Sequence, residues 1–160
     1  MKKKILIIAG GYSNEREISL KTARSVYLEL KKNKKYIIDV AEPDGNFIKK
    51  INFFKPDIAF NLLHGRYGED GYIQAILESQ KIKYTHSGVL SSSLAIDKEI
   101  SKEIYIKNNI LTPKYIKFKF KDFNEKKIIK EVQKKLKFPV VIKPINEGSS
   151  VSVYICKKNN

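Results

Sequence analysis

The chain has 160 residues, enough for one domain or somewhat more, with 42% hydrophobic and 31% charged residues, as in a folded globular protein. A formal charge of +15 invites a nucleic-acid reading, but lysine supplies it: Arg16, Arg24 and Arg66 are the only arginines, and no nucleic-acid motif is present. Nonspecific adhesion to polyanions is expected, specific nucleic-acid binding is not, and no apolar run approaches the roughly 18 residues needed to span a membrane.

The N-terminus, Met1-Lys2-Lys3-Lys4, leads into five apolar residues and then Gly10-Gly11, too short a run for a signal sequence. Residues 4 to 9 read as a first strand. A helix follows from about Glu15 to Lys32, with Leu20, Ala23, Tyr27 and Leu30 on one stripe; Asn14 and Glu17 have capping-box spacing. A second strand spans Tyr36 to Ala41 and ends in the turn Glu42-Pro43-Asp44-Gly45. A third, Asp57 to Leu63, runs into a loop, Asn61 to Gly71, that holds three glycines, His64, Arg66, Glu69 and Asp70. A loop of this kind at the carboxyl end of a parallel strand is where α/β proteins hold ligands. Glu69 and Asp70 read as residues that order the loop or cap the helix that follows, about Gly71 to Ser79, after which comes a short strand near Lys83 to Thr85. Composition changes near Ser87. Asp97 opens a helix to about Asn108, Thr112-Pro113 breaks the chain, and alternation at Ile116, Phe118 and Phe120 predicts a strand from Tyr115 to Phe120. An amphipathic helix, Asp122 to Leu136, precedes a hairpin of Val140 to Lys143 against Val151 to Cys156. Cys156 is the single cysteine, which excludes an internal disulfide and suits a reducing, cytoplasmic compartment. The fold class expected is α/β: a doubly wound parallel-sheet domain, residues 1–96, followed by the start of an α+β domain, residues 97–160.

Four strings, GGYSNEREISL, LLHGRYGEDGYIQAILE, YTHSGVLSSSLAIDKEISK and FPVVIKPINEGSSV, resemble the D-alanine–D-alanine ligase family of the ATP-grasp superfamily, in the family's order and at its separations. The resemblance implies ATP-dependent joining of two D-alanines through an acyl phosphate, for peptidoglycan synthesis. It also implies a Rossmann-like N-terminal domain, through which family members resemble homodimers, and a truncated central ATP-grasp domain. The adenine clamp and the magnesium ligands are expected in a C-terminal half beyond residue 160, so no metal ligand is expected in this chain, and the chain alone is expected to be inactive. Alternatives kept open are another ATP-grasp ligase, such as a D-alanine–D-lactate ligase, and an incomplete fragment that acts only as a binding module.

By resemblance Glu15 holds the ammonium of the first D-alanine, although by chemistry alone it reads equally as an acid at a helix start. His64 lies near the same substrate's carboxylate, against the plain alternative of a structural hydrogen-bonder. Lys98 and Lys143 match lysines that reach ATP phosphates. Lys143 is expected to point inward beside Val141, where a buried ammonium would call for an anion. Glu147-Gly148-Ser149-Ser150 resembles the phosphate loop, whose backbone N–H groups bind anions, or else an ordinary hairpin turn. Ser149 matches the serine that links that loop to the substrate-side glutamate, and is not a nucleophile. Two departures stand out: the family usually has glycine where this chain has His86 and Ser152.

Overall fold

The computed structural model describes residues 2–157 and divides into two compact units, Met1–Ile96 and Asp97–Asn160. In the first, β1 (Lys3–Ile8), β2 (Tyr36–Ala41) and β3 (Ile58–Asn61) form a parallel sheet in the order β2-β1-β3. Register pairs Ile5 of β1 with Ile38 on one side and Ile58 on the other. The predicted fourth strand is a single parallel bridge, Ala59 to Tyr84, in which Ala59 N donates to Lys83 O and Thr85 N to Ala59 O. As central strand, β1 is buried on both faces, and its apolar run Ile5–Ala9 shows why. Leu6 and Ile8 face one way, onto Phe47 and Ile51 of α2 (Phe47–Phe54) and Ile73 and Leu77 of α3 (Tyr72–Ser79). Ile7 and Ala9 face the other way, onto Ala23 and the partly buried Leu20, Tyr27 and Leu30 of α1 (Arg16–Lys31). Helices thus cover opposite faces, and the chain reverses direction across the sheet between β1 and β3.

α1 corrects one expectation. It starts at Arg16 with Glu15 at the N-cap and no side-chain cap bond. Asn14 does not cap it and Glu17 closes no capping box, because Ser13 takes over the turn: its carbonyl accepts from Arg16 N and its hydroxyl from Glu15 N. Glu17 pairs instead with Arg16. Two helices were not anticipated, α2 and α4 (Val89–Ile96). α2 was readable as Phe47, Ile51 and Phe54 on one stripe, whereas serine-rich α4 offers no comparable pattern.

In the second unit α5 (Lys98–Lys107) starts behind a true cap, with the Asp97 carboxylate accepting from Glu99 N and Ile100 N. α6 (Glu125–Lys135) is capped by Asn124, two residues inside the expected start at Asp122. β4 (Val140–Ile142) and β5 (Tyr154–Cys156) form an antiparallel pair. The strand expected at Tyr115–Phe120 does not form; those residues lack ladder partners, and Phe120–Asp122 is a 3-10 turn. Alternation alone does not make a strand without a neighbouring strand to pair with.

Candidate functional site

In the first unit the site lies at the sheet's reversal point, where the loops leaving β1 and β3 run side by side. Leu62 N donates to Ile8 O, so the two chains stay paired one step past the strands. Ser19, on the apolar stripe of α1, cross-links them: its hydroxyl donates to Leu62 O at 2.6 Å and accepts from Gly10 N at 2.9 Å. Ser13 adds a second link by donating to His64 O at 2.7 Å while accepting from Glu15 N. Through these bonds the loop that carries Glu15 and the loop that carries His64, far apart in sequence, are held side by side.

Glu15 is 1% exposed at the start of α1. Its carboxylate presses against Gly65, which stands at φ +67°; a Cβ there would lie 2.5 Å from Glu15 Oε1. Glycine suits this position twice, through its left-handed backbone and through the carboxylate packed beside it. A buried carboxylate near a helix N-terminus is favoured by the dipole, and low surrounding polarity strengthens any contact it makes with an ammonium. His64 is half-buried, with Nε2 3.4 Å from Thr22 Oγ1 and Nδ1 3.8 Å from Glu69 Oε1. Glu69 and Asp70 order the loop: Glu69 Oε2 accepts from Gly65 N, and Asp70 accepts from Tyr67 N and Tyr72 N. Deeper in, Asn61 Nδ2 and Gln74 Nε2 both donate to Gly68 O at 2.9 Å. Sequence reading did not single out Ser13, Ser19, Asn61 or Gln74 as parts of this scaffold. The available signal was a polar residue set inside an apolar run, visible at Asn61 and Ser19. A surface crevice of about 480 Å3 lies against the same β1 loop, bounded by the Arg16–Glu42 ion pair, and neither Glu15 nor His64 lines it.

In the second unit Lys98 is the first residue of α5, and its ammonium donates to Ile145 O at 3.0 Å and to Glu147 O. Lys98 and the segment leading into residues 147–150 are thus brought together. Ser149 and Ser150 occupy a turn at φ +43° and +61°, closed by Val151 N donating to Gly148 O. Lys143 departs from expectation: it lies just past β4 and is exposed, as is Val141 at 55%. The argument from a buried ammonium therefore fails, because the two-stranded sheet leaves this face uncovered. Its charge still acts locally. Lys102 is held below the usual lysine range first by burial and then by the nearby Lys143. An anion placed among these lysines would relieve that repulsion. Lys102 also donates to Thr112 Oγ1 and Pro113 O. Among the described residues no cluster of three or more His, Cys, Asp or Glu side chains could hold a metal ion.

Residues 104–160 match the family described as "D-ala D-ala ligase C-terminus". The whole chain is 65% identical to the D-alanine–D-alanine ligase of Pelagibacter ubique, covering 52% of that protein. Among solved structures it resembles the D-alanine–D-alanine ligase of Bacillus anthracis, at 38% identity and a TM-score of 0.77, over 98% of this chain and 50% of that one. The same enzyme complexed with ATP matches at 36% identity and a TM-score of 0.76, over the same shares of the two chains. The chain spans about half the length of the curated relatives it matches. Among the described residues no helix is long and apolar enough to cross a membrane.

Proposed function

This chain belongs to the D-alanine–D-alanine ligase family, and from that premise we propose that it supplies the first-substrate subsite and part of the phosphate site of an ATP-dependent ligase acting on two D-alanines. The observation that carries the reading is Glu15, a carboxylate buried at a helix start against Gly65 and tied by Ser13 to the chain at His64. Glu15 receives the ammonium of the first D-alanine, and His64, held by Thr22 and Glu69, faces its carboxylate. Lys98 and Lys143 act on ATP phosphates together with the backbone of residues 147–150. Ser149 supplies a hydroxyl toward the substrate side. One D-alanine carboxylate is phosphorylated; the amine of the second displaces phosphate and forms the peptide bond. Cations and backbone N–H groups serve that chemistry because charge accumulates on phosphate and acyl oxygens. A magnesium ion would neutralise phosphate charge, its ligands lying in the part of the family's length that this chain does not span. Homodimerisation through residues 1–96 and a cytoplasmic location, where ATP is supplied, complete the proposal, with peptidoglycan synthesis as its destination.

The test joins this chain to the segment of the Pelagibacter ubique relative that it does not cover, and follows phosphate release. Turnover should need both ATP and D-alanine, while the 160-residue chain alone should show none. In the joined protein E15Q removes a charge-assisted contact worth about 1.5–3 kcal/mol. The KM for the first D-alanine should therefore rise roughly ten- to a hundredfold, with the KM for ATP unchanged. An unchanged D-alanine constant would return Glu15 to the role of a helix-start acid.

A further inference from the structure

The phosphate-loop reading leaves one arrangement unexplained. An anion-binding turn needs N–H donors turned toward the ligand and carbonyl oxygens turned away from it, since an acceptor dipole repels phosphate. Two carbonyls at the entry to the loop, that of Ile145 ahead of it and that of Glu147 at its first residue, both accept from the ammonium of Lys98. Ile145 O also accepts from the backbone N–H of Lys98 at 3.2 Å, so three bonds from one residue tether this segment to the start of α5. The start of α5 is itself fixed by Asp97, whose carboxylate caps it twice. The segment past the tether has the opposite character: Ser149, Ser150 and Ser152 all hold left-handed backbone, at φ +43°, +61° and +54°, conformations that cost serine free energy. Such a turn persists only if its ends are held, and on the β4 side Lys98 holds it by three bonds to Ile145 and Glu147.

We propose that Lys98 is a positioning residue for the phosphate loop: its ammonium ties down the carbonyls of Ile145 and Glu147 and thereby fixes the start of residues 147–152 with those acceptors turned away from an incoming polyphosphate. This goes beyond a lysine that merely contacts phosphate, and it rests on the reading of residues 147–150 as the phosphate loop. A charged donor on a carbonyl is stronger than a neutral one, so a cation is suited to the task. Methionine at position 98 keeps helix propensity and stem length while removing all three donor protons.

NMR relaxation on the isotope-labelled 160-residue chain tests the proposal, with no ligand added. K98M should lower the backbone order parameters of residues 145–150 from near the rigid value of about 0.85 to below about 0.6, while α6 and the sheet of the first unit are unaffected. K98R, which keeps charged donors, should restore order. Titration with tripolyphosphate should shift residues 147–152 in wild type and K98R and shift them little in K98M. Order parameters in K98M equal to wild type would overturn the positioning role, even if tripolyphosphate binding fell. Wild-type residues 147–152 that ignore tripolyphosphate would instead undo the phosphate-loop reading, while a loosened segment in K98M would still show the tether. If K98M disturbs α6, K98Q carries the same comparison.

Discussion

The two units differ in how they are held together. The first buries a strand on both faces: Leu6, Ile7, Ile8 and Ala9 are wholly inaccessible, and helices cover them from both sides. In the second, Val132 on α6 is the one buried hydrophobic side chain among the described residues, while Val141, Tyr154 and Ile155 of the strand pair are exposed. The first unit, with its strand covered on both faces, carries the buried carboxylate of Glu15. In the second, polar contacts join the start of α5 to the segment at residues 145–147: Asp97 caps the helix, and Lys98 donates to the carbonyls of Ile145 and Glu147. Order of the second kind depends on single residues.

The largest expected break in this comparison comes from the core. Leu6→Ala should cost the first unit about 2–5 kcal/mol, the range for a leucine truncated in a close-packed interior. Val132→Ala removes two methyl-sized groups, each worth about 0.8 kcal/mol, and should leave amide exchange in β1 unchanged. Hydrogen exchange followed residue by residue checks both. Equal losses in the two units would mean that they unfold as one body.

A smaller effect comes from the two departures from the family's glycines. Both fall on left-handed backbone, His86 at φ +88° and Ser152 at φ +54°. Glycine at either position should relieve about 1 kcal/mol of backbone strain, offset in part by the freedom it adds to the unfolded chain. H86G should raise the melting temperature of the first unit, whereas S152G should change only the local turn in the second. A fall in stability with H86G would mean that the imidazole makes a contact worth more than the strain.

A further effect, confined to alkaline pH, is a pH step in the first unit. The Tyr84 phenol is pushed up from 10.0 to about 12, first by burial and then by donating to Glu78 Oε1 at 2.6 Å. Below pH 10 folded and unfolded chains both keep this proton; between about 10 and 12 the unfolded chain releases it and the folded chain does not. Stability should therefore fall across that window. Urea titrations at stepped pH should show the fall in wild type and its loss in Y84F.

Much of the first unit was legible because its chemistry is periodic. The apolar run at β1, the stripe of α1 and the glycine-rich loop after β3 each point to one structure. Legibility failed where a pattern needed a partner that sequence does not display. Phe118 and Phe120 alternate like a strand but have no strand to pair with among the described residues, and Lys143 shares a parity with Val141 although both are exposed. Asn14 and Glu17 have capping spacing, yet it is Ser13 that accepts from Glu15 N while its hydroxyl donates to His64 O. In the site, Glu15 and His64 were singled out by the resemblance of their loops to the ligase family, since by residue type alone each reads as structural, while the serines that join the two loops are evident only in three dimensions.

In the proposed function the two units divide the labour, the first taking the amino acid and the second the phosphates. Amide chemical-shift titration of the 160-residue chain with D-alanine and, separately, with ATP tests it most directly. D-alanine should shift residues 10–16 and 61–71, with E15Q abolishing the response, and ATP should shift residues around Lys98, Lys143 and 147–152. ATP shifts centred on the Gly10–Glu15 loop, or a D-alanine response that survives E15Q, would contradict it.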